Sequence, residues 1–171
     1  LAGTIYDWNP IEGFLFTVNE FVKQYATMCA GEKITGSGTQ DHYNDYISRI
    51  DSRENLLTYV DEFVDSFDVY YNKIAKPNLA TEASWIKAYS KDFAYTKFKQ
   101  HRPLMLKVLT TNGISDEKKI KLHRCLETIY IIHNLLMNGS PSAIETMMAD
   151  QINNISMSDD IASDLDDEIP F

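Results

Sequence analysis

Residues 52–77 read SRENLLTYVDEFVDSFDVYYNKIAKP, and the spacing of their apolar side chains decides the fold class. Leu56, Leu57, Val60, Phe63, Val64, Phe67, Tyr70, Tyr71 and Ile74 recur at steps of one, three and four, which is the period of one helix face. Ser52 stands where an N-cap hydroxyl accepts a first-turn N–H. Pro77 ends the pattern, because proline lacks an N–H and disfavours a helical residue before it. The opposite face carries Asp61, Glu62, Asp65 and Asp68, read here as a solvated helix face rather than as metal ligands.

The same period extends to both sides. Asn9-Pro10-Ile11-Glu12 places a cap, a first-turn proline and an acid in order, and Ile11, Phe14, Leu15, Val18, Phe21, Val22, Tyr25 and Cys29 follow as one apolar stripe up to Gly31. Gly36-Ser37-Gly38 reads as a turn or mobile loop before a short helix over Asp41 to Ile50. Beyond Pro77, a helix opens at Thr81 and runs through Trp85, Ile86, Tyr89, Phe93 and Phe98, until Pro103 breaks or kinks it. Leu104 to Leu109 continue to Asn112-Gly113. Ser115-Asp116-Glu117 gives an acidic first turn, favourable to the helix dipole, before Ile120 to Met137. Ser140-Pro141 starts a last helix that fades near Asn154. No segment alternates with the strand period. The expectation is an all-α fold: a single helical domain of six or seven helices within residues 1–155, followed by an acidic tail over residues 156–171.

At 171 residues the chain fits one domain plus a tail. Its 44% hydrophobic and 24% charged residues exclude a chain disordered throughout. The longest apolar runs, Ile129 to Ile132 and Leu135 to Met137, are far shorter than the ~20 residues that span a bilayer, so no membrane partner is expected. No secretory signal pattern is visible in the residues given, which open with Leu1 rather than Met. Cys29 and Cys125 lie in helical apolar patterns and read as two buried thiols of a reducing, cytoplasmic compartment.

The net charge of −9 conceals an uneven distribution. Residues 1–84 are net −7, residues 85–124 net +7, and residues 125–171 net −9 with no basic residue at all. The basic stretch interleaves cations with rings, from Trp85 and Lys87 through Tyr89, Lys91, Phe93, Tyr95, Lys97, Phe98 and Lys99 to His101 and Arg102. Single-stranded nucleic acid needs cations for its phosphates and flat rings on which bases stack. The candidate nucleic-acid-binding set is therefore Lys87, Lys91, Lys97, Lys99, Arg102, Lys118, Lys119, Lys121 and Arg124. The competing reading makes Trp85, Phe93 and Phe98 core residues and the lysines a solvated face.

The sequence ends Asp164-Leu165-Asp166-Asp167-Glu168-Ile169-Pro170-Phe171. An acidic stretch closing on an aromatic combines electrostatic steering with a hydrophobic anchor, and Pro170 stiffens the approach. These residues resemble the C-terminal tip of bacterial and phage single-stranded-DNA-binding proteins, an acidic stretch ending in Ile-Pro-Phe or Leu-Pro-Phe. The resemblance implies that Phe171 enters an apolar pocket on replication, recombination or repair enzymes. There its carboxylate meets a basic residue, and Asp166, Asp167 and Glu168 face a basic rim. Ile169 and Pro170 complete the matching residues, and Glu168 replaces the commoner Asp. The likeness covers about a tenth of the chain, and the helical body departs from the β-barrel usual in that family.

The four histidines, His42, His101, His123 and His133, show no zinc-ligand spacing, and none is expected to pair with cysteine or carboxylate. His101 and His123 are expected to join the basic surface. No phosphate-binding loop, dinucleotide fingerprint or nucleophile elbow is visible, so no catalytic residue, metal or cofactor is assigned. Two functions fit. In the first, a non-enzymatic phage or bacterial replication or recombination protein binds single-stranded DNA through basic helices and recruits enzymes through its tail. In the second, an adaptor, loader or inhibitor uses the tail without touching DNA. A helical virion or assembly component is a third.

Overall fold

A computed structural model describes residues 18–75, 82–94, 98–137 and 139–155, and these form seven helices with no strand among them. They are α1 (Val18–Ala30), α2 (Gly36–Ser48), α3 (Arg53–Val69, widening to a π-helical turn over Tyr70–Ala75), α4 (Ser84–Ala94), α5 (Arg102–Thr110), α6 (Asp116–Ile129, with a π-helical end over Tyr130–Leu136) and α7 (Pro141–Asn154). The all-α expectation holds. The start signal at Asn9-Pro10 and the tail lie outside the described residues.

Local chemistry sets the boundaries. Ser52 Oγ accepts from the Asn55 N–H at 3.1 Å, and Ser115 Oγ accepts from the Lys118 N–H at 3.3 Å, each satisfying a donor that the first turn leaves open. Gly31 closes α1 with a left-handed φ of 63°, and a Cβ there would collide with the Asn153 side chain. Two boundaries differ from expectation: α4 covers Ser84–Ala94 and leaves Phe98 outside any helix, and α2 begins at Gly36 rather than near Asp41. The Thr39 N–H donates to the Thr35 carbonyl at 3.1 Å, and Tyr43 Oη donates to the Val22 carbonyl at 3.0 Å, which fastens α2 to α1. Tertiary anchoring here outweighs the entropic cost of helical glycine.

The centre of the fold is α5. Pro103, in its first turn, is followed by Leu104, Met105, Leu106 and Val108, none of which is exposed to solvent at all. Helices α1, α3 and α7 pack around it. Phe21 of α1 meets Phe63 and Phe67 of α3 edge-on, each at 5.1 Å between ring centres, and Tyr70 at 5.5 Å. On α7, Ile144, Met148 and Ile152 complete the enclosure.

Two expectations about burial are corrected. The apolar stripe of α3 is inside only from Phe63 onward, whereas Leu56, Leu57 and Val60 are exposed together with Ile47 of α2, because the first turns of α3 extend beyond the central packing. Cys29 is exposed and only Cys125 is buried. The acids Asp61, Glu62, Asp65 and Asp68 are exposed, as a solvated face requires.

The enclosure predicts unequal mutational costs along one residue type. Leu106→Ala should destabilise the protein by about 2–5 kcal/mol in urea denaturation, and Leu56→Ala by less than about 1 kcal/mol. Equal costs would contradict the placement of α5.

Candidate functional site

Helix periodicity divides the basic stretch. In α4 the buried positions are Trp85, Ile86, Tyr89 and Phe93, which leaves Lys87 and Lys91, four residues apart, on the exposed side. In α6 the buried positions are Leu122, His123, Cys125, Leu126 and Ile129, which leaves Lys121 and Arg124 exposed. The two helices lie side by side and run in the same sense. Lys119 Nζ is 6.0 Å from the Trp85 ring centre, the rings of Tyr89 and Phe93 are 5.8 and 6.0 Å from His123, and Phe93 is 6.4 Å from Tyr130. This pair therefore presents four exposed cations, two from each helix.

The other members of the expected set are placed differently. Lys99 Nζ lies 2.6 Å from Glu20 Oε1, and Arg102 Nη1 lies 3.3 Å from the same oxygen while donating to Tyr70 Oη at 3.0 Å. One carboxylate on α1 thus holds both cations against the body. Burial raises the Tyr70 hydroxyl to about 12, with Arg102 pulling it back. Lys119 lies 3.6 Å from Asp116, and Lys118 is half-buried at the α6 start. Lys97 and Tyr95 lie outside the described residues.

The rings are core residues, as the competing reading had it. Trp85, Tyr89, Phe93 and Phe98 are each less than 10% exposed, so none offers a face to a nucleobase. His101 is corrected from surface to core: it is 1% exposed and packs between Phe93 at 4.6 Å and Phe98 at 4.8 Å. Its Nε2 is hydrogen-bonded to Tyr89 Oη at 2.8 Å. Burial, then the charges of Arg102 and His123, hold its imidazole well below the ordinary 6.5, so it is neutral near pH 7.

His123 is likewise buried rather than part of the basic surface, and it does meet carboxylates. Its Nε2 is 3.1 Å from Asp92 Oδ2 and 3.9 Å from Glu127 Oε1. Asp92, His123 and Glu127 form the one cluster of metal-competent side chains among the described residues, with ligand atoms all within 4.8 Å of one another. Burial pushes the Glu127 carboxyl up; Asp92 adds to this, while His123 and Arg124 oppose it. Two of the three members of this cluster were visible in the sequence, since His123 and Glu127 stand at i and i+4, the spacing that brings two side chains to one helix face. Attention to histidine–histidine spacing alone misses it, and Asp92 comes from a different helix.

Away from the seam, Glu145 of α7 accepts from Lys23 at 2.9 Å and pairs with Lys33 at 3.2 Å, which ties α7 to α1 and to the segment after it. The partner-binding residues Asp166, Asp167, Glu168, Ile169, Pro170 and Phe171 lie outside the described residues. No helix among the described residues is long and apolar enough to cross a membrane. Comparisons with protein-family models, curated proteins and solved structures give no match.

The neutral His101 predicts a pH dependence. The unfolded chain takes up a proton below about 6.5 and the folded chain does not, so the native state is fully favoured above that pH and loses stability as pH falls below it. The limiting slope is about 1.4 kcal/mol per pH unit. Urea denaturation in the presence of a chelator should show this loss between pH 7 and 5, and His101→Gln should flatten it. An unchanged slope in the variant would place the titration elsewhere.

Proposed function

We propose that this protein is a non-enzymatic accessory factor of phage or bacterial DNA replication or recombination, working in the cytoplasm. It recruits replication or repair enzymes through Asp166, Asp167, Glu168, Ile169, Pro170 and Phe171. The observation that carries the reading is the acidic stretch closing on Ile-Pro-Phe. Its physical basis is an aromatic anchor beside a proline, with acids that steer toward a basic partner.

Contact with single-stranded DNA is the second element of the proposal, and the geometry narrows it. The exposed cations Lys87, Lys91, Lys121 and Arg124 support attraction to phosphates. The burial of Trp85, Tyr89, Phe93 and Phe98 supports a body that reads charge and not bases. The adaptor reading, in which DNA is never bound, draws its support from Glu20, which occupies two of the expected cations, and from Asp92 and Glu127 at the α4–α6 seam.

Two measurements test the proposal. A synthetic peptide of residues 160–171 should displace a labelled tail of bacterial single-stranded-DNA-binding protein from one of that protein's partner enzymes. The same peptide without Phe171 should compete at least tenfold less well, since losing a buried aromatic anchor costs about 2 kcal/mol or more. Absence of competition would remove the recruitment reading. For DNA, four phosphate contacts predict a log–log salt slope near −3 on oligo-dT, against about −6 for all nine cations of the expected set. Glu substitutions at Lys87, Lys91, Lys121 and Arg124 should abolish binding, and no binding even without residues 156–171 would leave the adaptor reading.

A further inference from the structure

We propose that Asp92, His123 and Glu127 bind a divalent transition-metal cation, of which Zn²⁺ is the type, at the seam between α4 and α6. The inference goes beyond partner recruitment and DNA contact and does not rest on either.

His123 carries the argument. The residue is only 5% exposed, and its buried Nε2 makes no aligned hydrogen bond, although Asp92 Oδ2 lies within ion-pair distance of it. Buried nitrogens ordinarily find a well-aligned donor, acceptor or metal, and a poorly aligned carboxylate contact leaves that requirement only partly met. This one points at two carboxylates, with Asp92 Oδ2 at 3.1 Å and Glu127 Oε1 at 3.9 Å. Tetrahedral coordination with bonds of about 2.0–2.1 Å sets ligand atoms about 3.3 Å apart. The three ligand atoms, all within 4.8 Å of one another, reach that arrangement by small side-chain rotations.

The donor set selects the class of ion. A neutral imidazole nitrogen with two carboxylate oxygens suits Zn²⁺ and its neighbours, whereas Mg²⁺ and Ca²⁺ favour oxygen throughout. Two negative charges against a dication leave the filled site neutral. The i, i+4 spacing of His123 and Glu127 supplies two ligands from one turn of α6, and Asp92 supplies the third from α4. Tyr89 and Phe93 stand edge-on to the imidazole and fix its plane. The side chains of Asp92 and Glu127 are 36% and 38% exposed, which leaves a path for the ion and an open coordination position for water. A bound cation joins α4 to α6 and neutralises the carboxylates beside the exposed cations.

The test uses the full chain, freed of metal by chelation and titrated with Zn²⁺ by calorimetry and with Co²⁺ by visible absorption. One equivalent should bind, the Co²⁺ spectrum should show nitrogen and oxygen ligation without a thiolate charge-transfer band, and Zn²⁺ should raise the Tm. Asp92→Asn and Glu127→Gln, both at half-exposed side chains, should each weaken binding at least tenfold while keeping the metal-free Tm. His123→Gln should abolish it, and if that variant does not fold, the two carboxylate variants decide. No saturable binding would overturn the proposal. So would one-equivalent binding that survives all the substitutions, or that carries a thiolate band, since either places the ion at Cys29, Cys125 or the acidic tail.

Discussion

A nine-residue helix buries five of its side chains and leaves only Arg102, Lys107, Leu109 and Thr110 part-exposed, and the rest of the protein is arranged to enclose it. Leu104, Met105, Leu106 and Val108 of α5 are completely shielded, which requires packing from several directions at once. Helices α1, α3 and α7 supply most of that packing. The α4–α6 pair is linked to it through the aromatic and histidine cluster around His101, the residue just before α5. The enclosure therefore determines which chemically versatile side chains go inside and which remain outside.

The aromatic residues of 85–98 go inside, and with them goes a surface on which bases could stack. His101 follows, neutral and flanked by phenylalanines. Lys99 and Arg102, on either side of His101 at the entrance to α5, are drawn to Glu20 as α1 packs against that helix. Charge predominates on the outer sides of Ser84–Ala94 and Asp116–Ile129: Lys87 and Lys91 on α4, Lys121 and Arg124 on α6, with Asp92 and Glu127 at their junction. A surface of this kind suits phosphates or a metal ion better than bases.

Helix type and most helix ends were legible in the sequence because they depend on local chemistry. Ser52 and Ser115 cap as their positions require, and Pro141 opens α7 in its first turn. The start of α2 at Gly36 was not legible, since it depends on Tyr43 reaching the Val22 carbonyl on another helix. Nor was the exposure of Leu56, Leu57 and Val60, because periodicity shows which residues share a face and not how far that face is covered. The basic set failed where partners are distant: Glu20 is 79 residues from Lys99 in the chain. Two of the three residues of the carboxylate–histidine cluster were legible, through the His123–Glu127 spacing, and Asp92 joins them only once α4 lies along α6.

The central claim is that α5 is enclosed and that this enclosure fixes the composition of the surface. Hydrogen exchange followed by mass spectrometry measures the claim directly, because amides that open only with the whole fold exchange last. Amides of residues 105–109 should be the slowest in the chain, with opening free energies matching the global stability from denaturation, while those of α2 should exchange far sooner. Exchange in 105–109 as fast as in α2 would contradict the account, for it would mean that the helix on which every other placement depends opens on its own.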